Sequence, residues 1–383
     1  MYIGRREIGP GKPVYVIFEV ASTHANDWDA AAAYVGQAAS VGADAVKFQL
    51  FEADKLILPL TPGLKGTYDY FKTAETPREW FPKLKTLCDE KGIDLLCTPF
   101  DTSAAEFLDG VGVPAVKIAS GELTNLQLLE AVARFGKPII MSTGMATMEE
   151  VRAAMKTLRD GGAKDIVPLQ CVSVYPTSFE DANVRAMEAM GKEFGVLSGY
   201  SDNGSRGALV PLLAVAMGAS VIEKHVTSKK ERGNLDDVFS MSVAEFGEMV
   251  KKIRAIEKRA DTQNVLAELK KEYGEDFDKA QGDGIKRPAP HGTLVEHPGV
   301  KDPFVMREAD ERQWARRGVY LKEPARKGTI VTEDMLLLLR PDIGISALRY
   351  GEVVGKAAGE DLPARAPLVL QSNGIFAYHD EII

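Results

Sequence analysis

The sequence predicts an eight-stranded parallel β/α barrel followed by a small β-rich domain. Strands and helices alternate without a break over roughly 240 residues, which is the pattern of a β/α barrel. Polar side chains gather where the apolar strands end, and the residue pattern changes beyond Arg317. Residues 113–143 show the repeating unit in full, because a short apolar strand, a polar loop, a helix, a glycine turn and the next strand follow one another.

The eight predicted strands are short apolar runs bounded by turn residues. They cover residues 14–20, 45–50, 94–98, 115–118, 139–142, 166–172, 196–200 and 221–225. Periodic apolar residues predict helices over residues 28–41, 77–91, 103–108, 126–132, 147–158 and 206–217. A long insertion with glycine, proline and aromatic residues, residues 51–76, separates the second strand from its helix.

Three parts are expected along the chain. Residues 1–271 form the barrel, with one or two charged helices over residues 243–271 on its exterior. Residues 272–312 are rich in Gly, Pro, Asp and Lys without a clear period, which indicates a linker or an extended arm. Residues 313–383 form the tail domain, and a tail of about 70 residues is marginal by itself. We therefore expect it to dock on the barrel or on a partner subunit.

Composition excludes several classes of protein. Hydrophobic residues make up 45% and charged residues 27% of the 383, as in soluble globular proteins. The net charge of −8 predicts neither nucleic acid nor an anionic membrane as a partner. With no apolar signal region and no apolar run of membrane-spanning length, we expect a cytoplasmic protein. Cys88, Cys97 and Cys171 have no metal-ligand spacing, which predicts reduced thiols, and no nucleotide-binding glycine motif occurs.

Polar residues lie at or just beyond the predicted carboxyl ends of the strands, where β/α barrels build active sites. They are Glu19, His24, Lys47, Gln49, Thr98, Lys117, Ser120, Glu122, Ser142, Gln170, Tyr175, Asn183, Ser201, Asp202 and His225. A lysine inside an apolar strand is costly unless an anion meets it, which singles out Lys47 and Lys117. Two lysines with several hydroxyls suit a phosphate and a carboxylate held together. Lys117 alone could instead pair with Glu122, and any single Ser or Thr could make a turn.

His24 and His225 follow the first and last strands, which become neighbours when the barrel closes. Acids close to them in the sequence or on neighbouring strands are Glu19, Glu223, Asp236 and Asp237. Such a set could hold a divalent metal. A single histidine more often makes a structural hydrogen bond, and the residues alone leave both possibilities open.

Several runs of residues resemble the sialic acid synthase family, in the order that the family has them. They are FEVASTH (18–24), GADAVKFQ (42–49), CTPFD (97–101), VKIASGEL (116–123), KPIIMSTGMA (137–146), YPTSFEDAN (175–183), GYSD (199–202) and GASVIEKH (218–225). In the tail, the runs RRG (316–318), KGTIVTEDM and RPDIGI resemble that family's antifreeze-like (SAF) domain. The resemblance covers nearly the whole chain.

The resemblance implies condensation of phosphoenolpyruvate with an N-acylated aldose similar to N-acetylmannosamine, giving a nine-carbon 2-keto-3-deoxy acid and phosphate. It implies Mn²⁺ or Mg²⁺ as cofactor, held at His225, and a homodimer in which each tail extends Arg340 over the acceptor of the other barrel. The candidate catalytic residues are Glu19, Lys47, Lys117 and Glu122, with Glu122 near the reacting centre. The candidate substrate-binding residues are Ser120, Ser142, Tyr175, Asn183, Ser201, Asp236 and Arg340.

Three positions depart from the family pattern. Gln170, Asn203 and Asp237 stand where the family usually has histidine, and the histidine at the position of Asn203 is its second metal ligand. An amide oxygen is a harder donor than imidazole and suits Mg²⁺, Ca²⁺ or Mn²⁺. We therefore expect a weak metal site at His225 and Asn203. The departures leave the acceptor sugar open, whereas the residues expected to bind phosphoenolpyruvate are all present.

Two other functions remain open from the residues. Lys117 or Lys47 could form a Schiff base with pyruvate, as in a class I aldolase or lyase. The replaced histidines also suggest a barrel that binds a sugar acid without catalysis.

Overall fold

The computed structural model describes residues 1–59, 65–204, 207–228, 235–237, 239–295 and 304–377. A short hairpin of β1 (Tyr2–Ile3) and β2 (Arg6–Glu7) opens the chain. The parallel strands that follow are β3 (Tyr15–Glu19), β4 (Ala45–Leu50), β5 (Asp94–Pro99), β6 (Val116–Ile118), β7 (Ile139–Ser142), β8 (Ile166–Cys171), β9 (Gly199–Asp202) and β10 (Val221–Thr227). They hydrogen-bond in the order β5-β4-β3-β10-β9-β8-β7-β6, and β5 lies beside β6. The predicted (β/α)8 barrel is confirmed.

Helices surround the barrel, and one helix of the insertion after the second strand contributes to its mouth. They are α1 (Trp28–Ser40), α2 (Ala53–Leu56), α3 (Lys65–Ala74), α4 (Trp80–Lys91), α5 (Thr102–Val111), α6 (Leu126–Ala133), α7 (Met148–Asp160), α8 (Phe179–Ala182), α9 (Arg185–Phe194), α10 (Leu209–Ala216), α11 (Val243–Ile256), α12 (Thr262–Tyr273) and α13 (Glu275–Gln281). Side chains of Asp27, Asp101, Thr147 and Ser242 accept hydrogen bonds from first-turn N–H groups, so these polar residues set where their helices begin. In the described part of the chain, no helix combines the length and apolar character needed to cross a membrane.

Alternation along the strands divides the barrel interior into an apolar end and a polar end. At the amino-terminal end, a buried cluster closes the barrel and includes residues of the opening hairpin segment: Ile3, Ile8, Tyr15, Ile17, Ala45, Leu96, Ala115, Ile140, Val167, Leu169 and Val221. Two residues further along each strand, the interior positions carry Glu19, Lys47, Thr98, Lys117 and Glu223. The pleat of the strands therefore delivers these polar groups to one mouth.

The barrel unit ends later than the sequence predicts. Helix α13 lies in the segment assigned to the linker, and its residues Phe277 and Ala280 belong to the same buried apolar cluster as the outer faces of the strands. The barrel unit therefore continues to Gln281 rather than to residue 271. Its acidic composition hid this helix, because only Phe277 and Ala280 face the core.

Beyond the barrel strands, β11 (Met241–Ser242) pairs with the end of β10, and β12 (Thr293–Val295) pairs with β13 (Phe304–Met306). Helix α14 (Glu308–Ala315) then leads into the tail. The tail consists of two antiparallel pairs, β14 (Gly318–Leu321) with β15 (Leu336–Leu339) and β16 (Leu368–Gln371) with β17 (Gly374–Ala377). It has its own buried apolar cluster. A compact β-rich tail is thus observed, and its antifreeze-like identity stays a prediction.

A buried ion pair docks the tail on the barrel mouth. Arg317 Nε lies 2.6 Å from Glu122 Oε2, and the two side chains are 2% and 0% exposed. The same guanidinium donates to the backbone oxygens of Lys55, Phe100 and Leu338. Burial alone would raise the pKa of Glu122, but Arg317 and Arg340 hold that pKa below its ordinary value. The stabilisation is therefore present at neutral pH and is lost as the pH falls through the folded-state pKa of Glu122.

We expect Glu122→Gln to lower the free energy of unfolding by about 3–5 kcal/mol, because the buried guanidinium of Arg317 loses its counter-charge. Urea denaturation measures this change. Glu352→Gln breaks an exposed ion pair with Arg349 in the same tail and should change stability little. If Glu122→Gln abolished activity without lowering the stability, the docking role would be wrong.

Candidate active site

A cavity of about 510 Å³ opens at the carboxyl ends of the barrel strands. Most of the predicted site residues line it: Glu19, Lys47, Lys117, Ser120, Ser142, Tyr175, Ser201, Asn203, His225, Asp236 and Arg340. The structure therefore brings these side chains, which are spread over more than 300 residues of sequence, to one place.

Two buried lysines and two buried glutamates form the floor of the cavity. Lys47 Nζ lies 2.7 Å from Glu19 Oε2 and 3.7 Å from Glu223 Oε2. Lys117 Nζ lies 3.6 Å from Glu223 Oε1 and donates to Ser142 Oγ at 2.7 Å. None of the four side chains is more than 5% exposed. Since buried charges must be compensated, each lysine depends on these carboxylates.

The two lysines differ in how well they are compensated. Burial alone would lower the pKa of Lys47, but Glu19 and Glu223 together raise it above its ordinary value. Burial lowers the pKa of Lys117, and the more distant carboxylate of Glu223 only partly opposes this. Lys117 is therefore the cation that gains more from a bound anion.

Serine hydroxyls and a glycine form a cradle beside Lys117. Ser120 Oγ accepts the N–H of Gly144 at 2.9 Å, and the Oγ of Ser173 is buried without a hydrogen-bond partner among the described residues. A Cβ at position 144 would collide with the hydroxyls of both Ser120 and Ser173, so the cradle requires glycine there. Hydroxyls converging beside an ammonium group are suited to a phosphate.

His225 and Asn203 are the two candidate metal ligands on the wall above. Burial lowers the pKa of His225 to about 4, so its imidazole is neutral at pH 7, the form that binds metals. Its Nδ1 is buried and has no hydrogen-bond partner among the described residues. Asn203 Nδ2 donates to Val172 O at 2.7 Å and to Cys171 Sγ at 3.3 Å, which fixes its amide.

This donor set fits a divalent ion only in part. Within the described residues, no group of three His, Cys, Asp or Glu side chains is placed to hold a metal. One imidazole and one amide oxygen would need oxygens from substrate or water to complete a shell. The weak site at His225 and Asn203 stays a prediction.

His24 does not take part in the site. Asn26 donates its N–H to His24 Nδ1 at 3.0 Å, and His24 Nε2 lies 3.0 Å from Thr76 Oγ1. The ring also contacts Trp80 edge-on. With both ring nitrogens occupied, His24 has a structural role.

Two of the three replaced histidine positions also lie away from the cavity lining. Gln170 points out of the barrel, where it accepts a hydrogen bond from Lys286 Nζ at 3.1 Å. Asp237 accepts a hydrogen bond from Thr227 Oγ1 at 2.6 Å. Of the three, Asn203 lines the cavity, so the departure from the family pattern reaches the mouth at this candidate metal ligand.

The structure corrects the roles predicted for Asn183 and Glu122. Asn183 lies outside the mouth, with its Oδ1 accepting from Gly284 N and its Nδ2 donating to Ile285 O, both at 3.0 Å. It therefore secures the arm rather than a substrate. Glu122 does not line the cavity, because Arg317 and Arg340 bind its two carboxylate oxygens. Its predicted place at the reacting centre is not observed.

Sequence reasoning left two polar residues of the floor and the cradle out of the site. From its sequence position Glu223 is predicted only as an acid near His225, and the sequence analysis assigns no role to Ser173. Both could have been found from the two-residue period of a strand, because Glu223 precedes His225 by two residues and Ser173 follows Cys171 by two.

An apolar wall faces the metal candidates across the mouth. It consists of Phe51, Phe71, Ala74, Phe100 and Ala119, which pack together and line the cavity. Phe71 and Ala74 come from helix α3 of the insertion. The guanidinium of Arg340 lies 5.5 Å from the Phe100 ring centroid, and its Nε is buried without a partner among the described residues.

Comparison with known proteins places this site in a family. Residues 34–264 match the NeuB family model. The chain is 33% identical to the N,N'-diacetyllegionaminic acid synthase of Legionella pneumophila over 380 residues, 96% of each chain. It is 32% identical to the pseudaminic acid synthase of Helicobacter pylori over 367 residues, 93% of this chain and 97% of that one. The crystal structure of the Bacillus subtilis spore coat polysaccharide biosynthesis protein SpsE matches with a TM-score of 0.78 and 29% identity, covering 99% of both chains.

We expect Lys117→Ala to weaken the binding of inorganic phosphate by about 10- to 100-fold, because a charge-assisted hydrogen bond to the anion is lost. Isothermal titration calorimetry measures the affinity, and circular dichroism checks that the fold is intact. Lys164→Ala, at an exposed position, serves as the control. An unchanged phosphate affinity in Lys117→Ala would remove Lys117 from the anion site.

Proposed function

The chain belongs to the NeuB family, and from this premise we propose that it condenses phosphoenolpyruvate with an N-acylated amino sugar, giving a sialic-acid-type nine-carbon 2-keto-3-deoxy acid and phosphate. The observation that carries the proposal is the pair of buried lysines, Lys47 and Lys117, beside the serine cradle at one barrel mouth. Phosphoenolpyruvate carries both a phosphate and a carboxylate, so a site that binds it needs two cationic groups. Lys47 and Lys117 provide these two groups.

The floor suggests how phosphoenolpyruvate is oriented. We assign its phosphate to Lys117 and the cradle hydroxyls of Ser120, Ser142 and Ser173. We assign its carboxylate to Lys47, whose Nζ donates a hydrogen bond to Thr98 Oγ1 at 3.1 Å. Glu19 and Glu223 hold the two ammonium groups in place, so the anion meets fixed charges that need no reorganisation.

The reaction needs positioning more than covalent help from the protein. Carbon 3 of phosphoenolpyruvate attacks the aldehyde carbon of the open-chain sugar, so the alkene electron pair becomes the new C–C bond. The electron pair of the C=O bond moves to the carbonyl oxygen, which becomes a hydroxyl on protonation, and carbon 2 is left electron-deficient. Water adds to carbon 2, and the tetrahedral intermediate then loses phosphate to leave a ketone. The lysines stabilise the negative charge on the departing phosphate, and the cavity holds both reactants at reacting distance.

The acceptor sugar is proposed to span the mouth. In the strand order, β9 and β10 lie across the barrel from β5 and β6. An aldehyde near His225 and Asn203 would therefore direct the rest of the sugar toward the apolar wall and Arg340. The Nε of Arg340, which has no hydrogen-bond partner within the described part of the chain, suits an acyl carbonyl, and Asp236 suits a sugar hydroxyl. An aldose similar to N-acetylmannosamine has these groups.

A divalent ion would be held by His225 and Asn203, with substrate oxygens completing its shell. When bound, such an ion supplies Lewis-acid polarisation of the aldehyde.

Release of phosphate from phosphoenolpyruvate over a panel of N-acylated aldoses tests the function. We expect release that depends on one acceptor class and that Lys117→Ala abolishes. Release with none of the acceptors, together with binding of a sugar acid, would favour a barrel that does not catalyse.

The lowered pKa of Lys117 favours one rival, a class I aldolase, because a neutral amine is the nucleophile that forms a Schiff base. Borohydride reduction in the presence of pyruvate separates the two functions. We expect no reduced adduct on mass spectrometry, and an adduct on Lys117 would establish the rival.

We expect activity to need an added divalent ion, because His225 and Asn203 are the only ligands that we assign among the described residues. Asn203→His should tighten Mn²⁺ binding, measured by calorimetry, because imidazole is a stronger donor than an amide oxygen. Asn264→His, on the exterior helix α12, is a matched control and should leave the affinity unchanged. Full activity after exhaustive chelation would contradict the metal role.

We expect the working unit to be a homodimer with exchanged tails. In the structure the tail covers the barrel of its own chain, and the connection through residues 296–303 lies outside the described residues. Exchange at that connection would leave each described contact in place, with the tail supplied by the partner.

Mixed dimers of an Arg340→Ala subunit and a Lys117→Ala subunit test the exchange. One intact barrel then receives one intact tail, so activity should return to about half of the wild-type value per dimer. Dimers of Lys47→Ala with Lys117→Ala are the control and should stay inactive, because both barrels are defective. Purified mixed dimers of the first kind without activity would show that each tail serves its own barrel.

A further inference from the structure

Glu308, the first residue of helix α14, is buried at the junction of three segments. It is fully buried, and its carboxylate accepts three backbone N–H groups at 2.6 Å each. Oε1 accepts from Met145 and Ser173, and Oε2 accepts from Ala289. Among the described residues no salt bridge pairs with this carboxylate, although the buried ammonium group of Lys286 interacts with it electrostatically. The N–H groups are therefore its direct hydrogen-bond partners.

Two of these N–H groups belong to the loops that form the phosphate cradle. Ser173 supplies the unpartnered cradle hydroxyl, and Met145 directly follows Gly144, whose N–H binds Ser120. Met145 has a φ of 62°, a left-handed conformation that residues with a side chain seldom adopt. Helix α14 holds both backbone groups of Met145, since Arg312 also donates to its carbonyl oxygen at 3.0 Å.

We propose that Glu308 is a positioning residue, which couples the docking of helix α14 to the shape of the phosphate cradle. The inference rests on the proposed function of the cradle as the phosphate subsite. With one oxygen shared by Met145 and Ser173, the loops after β7 and β8 are held at a fixed separation. The cradle hydroxyls of Ser120 and Ser173 then face the same point. Helix α14 therefore supports phosphoenolpyruvate binding, in addition to the acceptor contact expected from Arg340.

Glu308→Gln tests this role, because an amide keeps the size of the side chain while one of its two ends can no longer accept a hydrogen bond. At least one of the three N–H groups then loses its partner. We expect the KM for phosphoenolpyruvate to rise about 10-fold or more, since a small misplacement of binding groups is costly. The KM for the acceptor should stay within about twofold, because Arg340 is anchored separately by Glu122. Asp310→Asn, an exposed acid-to-amide change on the same helix, should alter neither value.

Binding of inorganic phosphate, measured by calorimetry, gives a readout that does not need turnover. Weaker phosphate binding in Glu308→Gln supports the inference even if the wild-type protein releases no phosphate from phosphoenolpyruvate, a result that would refute the proposed function alone. Wild-type phosphate affinity in a folded Glu308→Gln overturns the inference. An equal rise of both KM values also overturns it, because that result indicates general loosening of the tail. If Glu308→Gln does not fold, Glu308→Asp, which keeps the charge and withdraws the carboxylate, is judged by the same criteria.

Discussion

Compensation of buried charge is the constraint on which the rest of the structure depends. Lys47 and Lys117 lie in the barrel interior, where an isolated ammonium group would be prohibitively costly. Glu19 meets Lys47 from the neighbouring strand β3, and Glu223 reaches both lysines across the barrel interior from β10. The barrel can therefore keep two cations buried in its interior without a ligand, and an incoming anion finds donors already in place. Fixed charges of this kind stabilise the charge that develops on a leaving group.

The same constraint attaches the tail to the barrel. Glu122 follows β6 and is buried, and it is tolerated because two arginines of the tail, Arg317 and Arg340, reach it. Glu308 is buried at the start of α14 and is tolerated because three backbone N–H groups surround it. In both cases a charge on one segment requires a partner on another. The mouth is therefore complete only when α14 and the tail are docked, and docking orders the site as well as covering it.

The sequence predicts those features of the structure that depend on residues close together in the chain. The strands were predictable because apolar runs and glycine turns are local, and the polar mouth followed from where the runs end. Gln170 lies outside the site because the end of a strand does not by itself tell which side of the sheet a residue faces. Asn183 ends helix α8, where no strand period determines the direction of its side chain. The period of two puts Cys171 inside and Gln170 outside. The contacts of Glu122 and Glu308 could not be predicted, because their partners are distant in the sequence. Arg317 follows Glu122 by 195 residues, and Met145 precedes Glu308 by 163 residues.

The cavity is divided between parts of the chain with different freedom to change. Its floor comes from the interior positions of barrel strands, where each polar residue is compensated by a neighbour and a replacement would leave a buried charge alone. Its apolar wall comes largely from the insertion, through Phe51, Phe71 and Ala74, and its rim comes from the tail through Arg340. Residues of the wall and the rim can be replaced without removing a partner of the charged residues Lys47, Lys117, Glu19 and Glu223 of the floor. The binding of phosphoenolpyruvate is thus tied to the barrel fold, whereas the choice of acceptor depends on the insertion and the tail. Asn203 lies above the floor, between the residues assigned to phosphoenolpyruvate and those assigned to the acceptor.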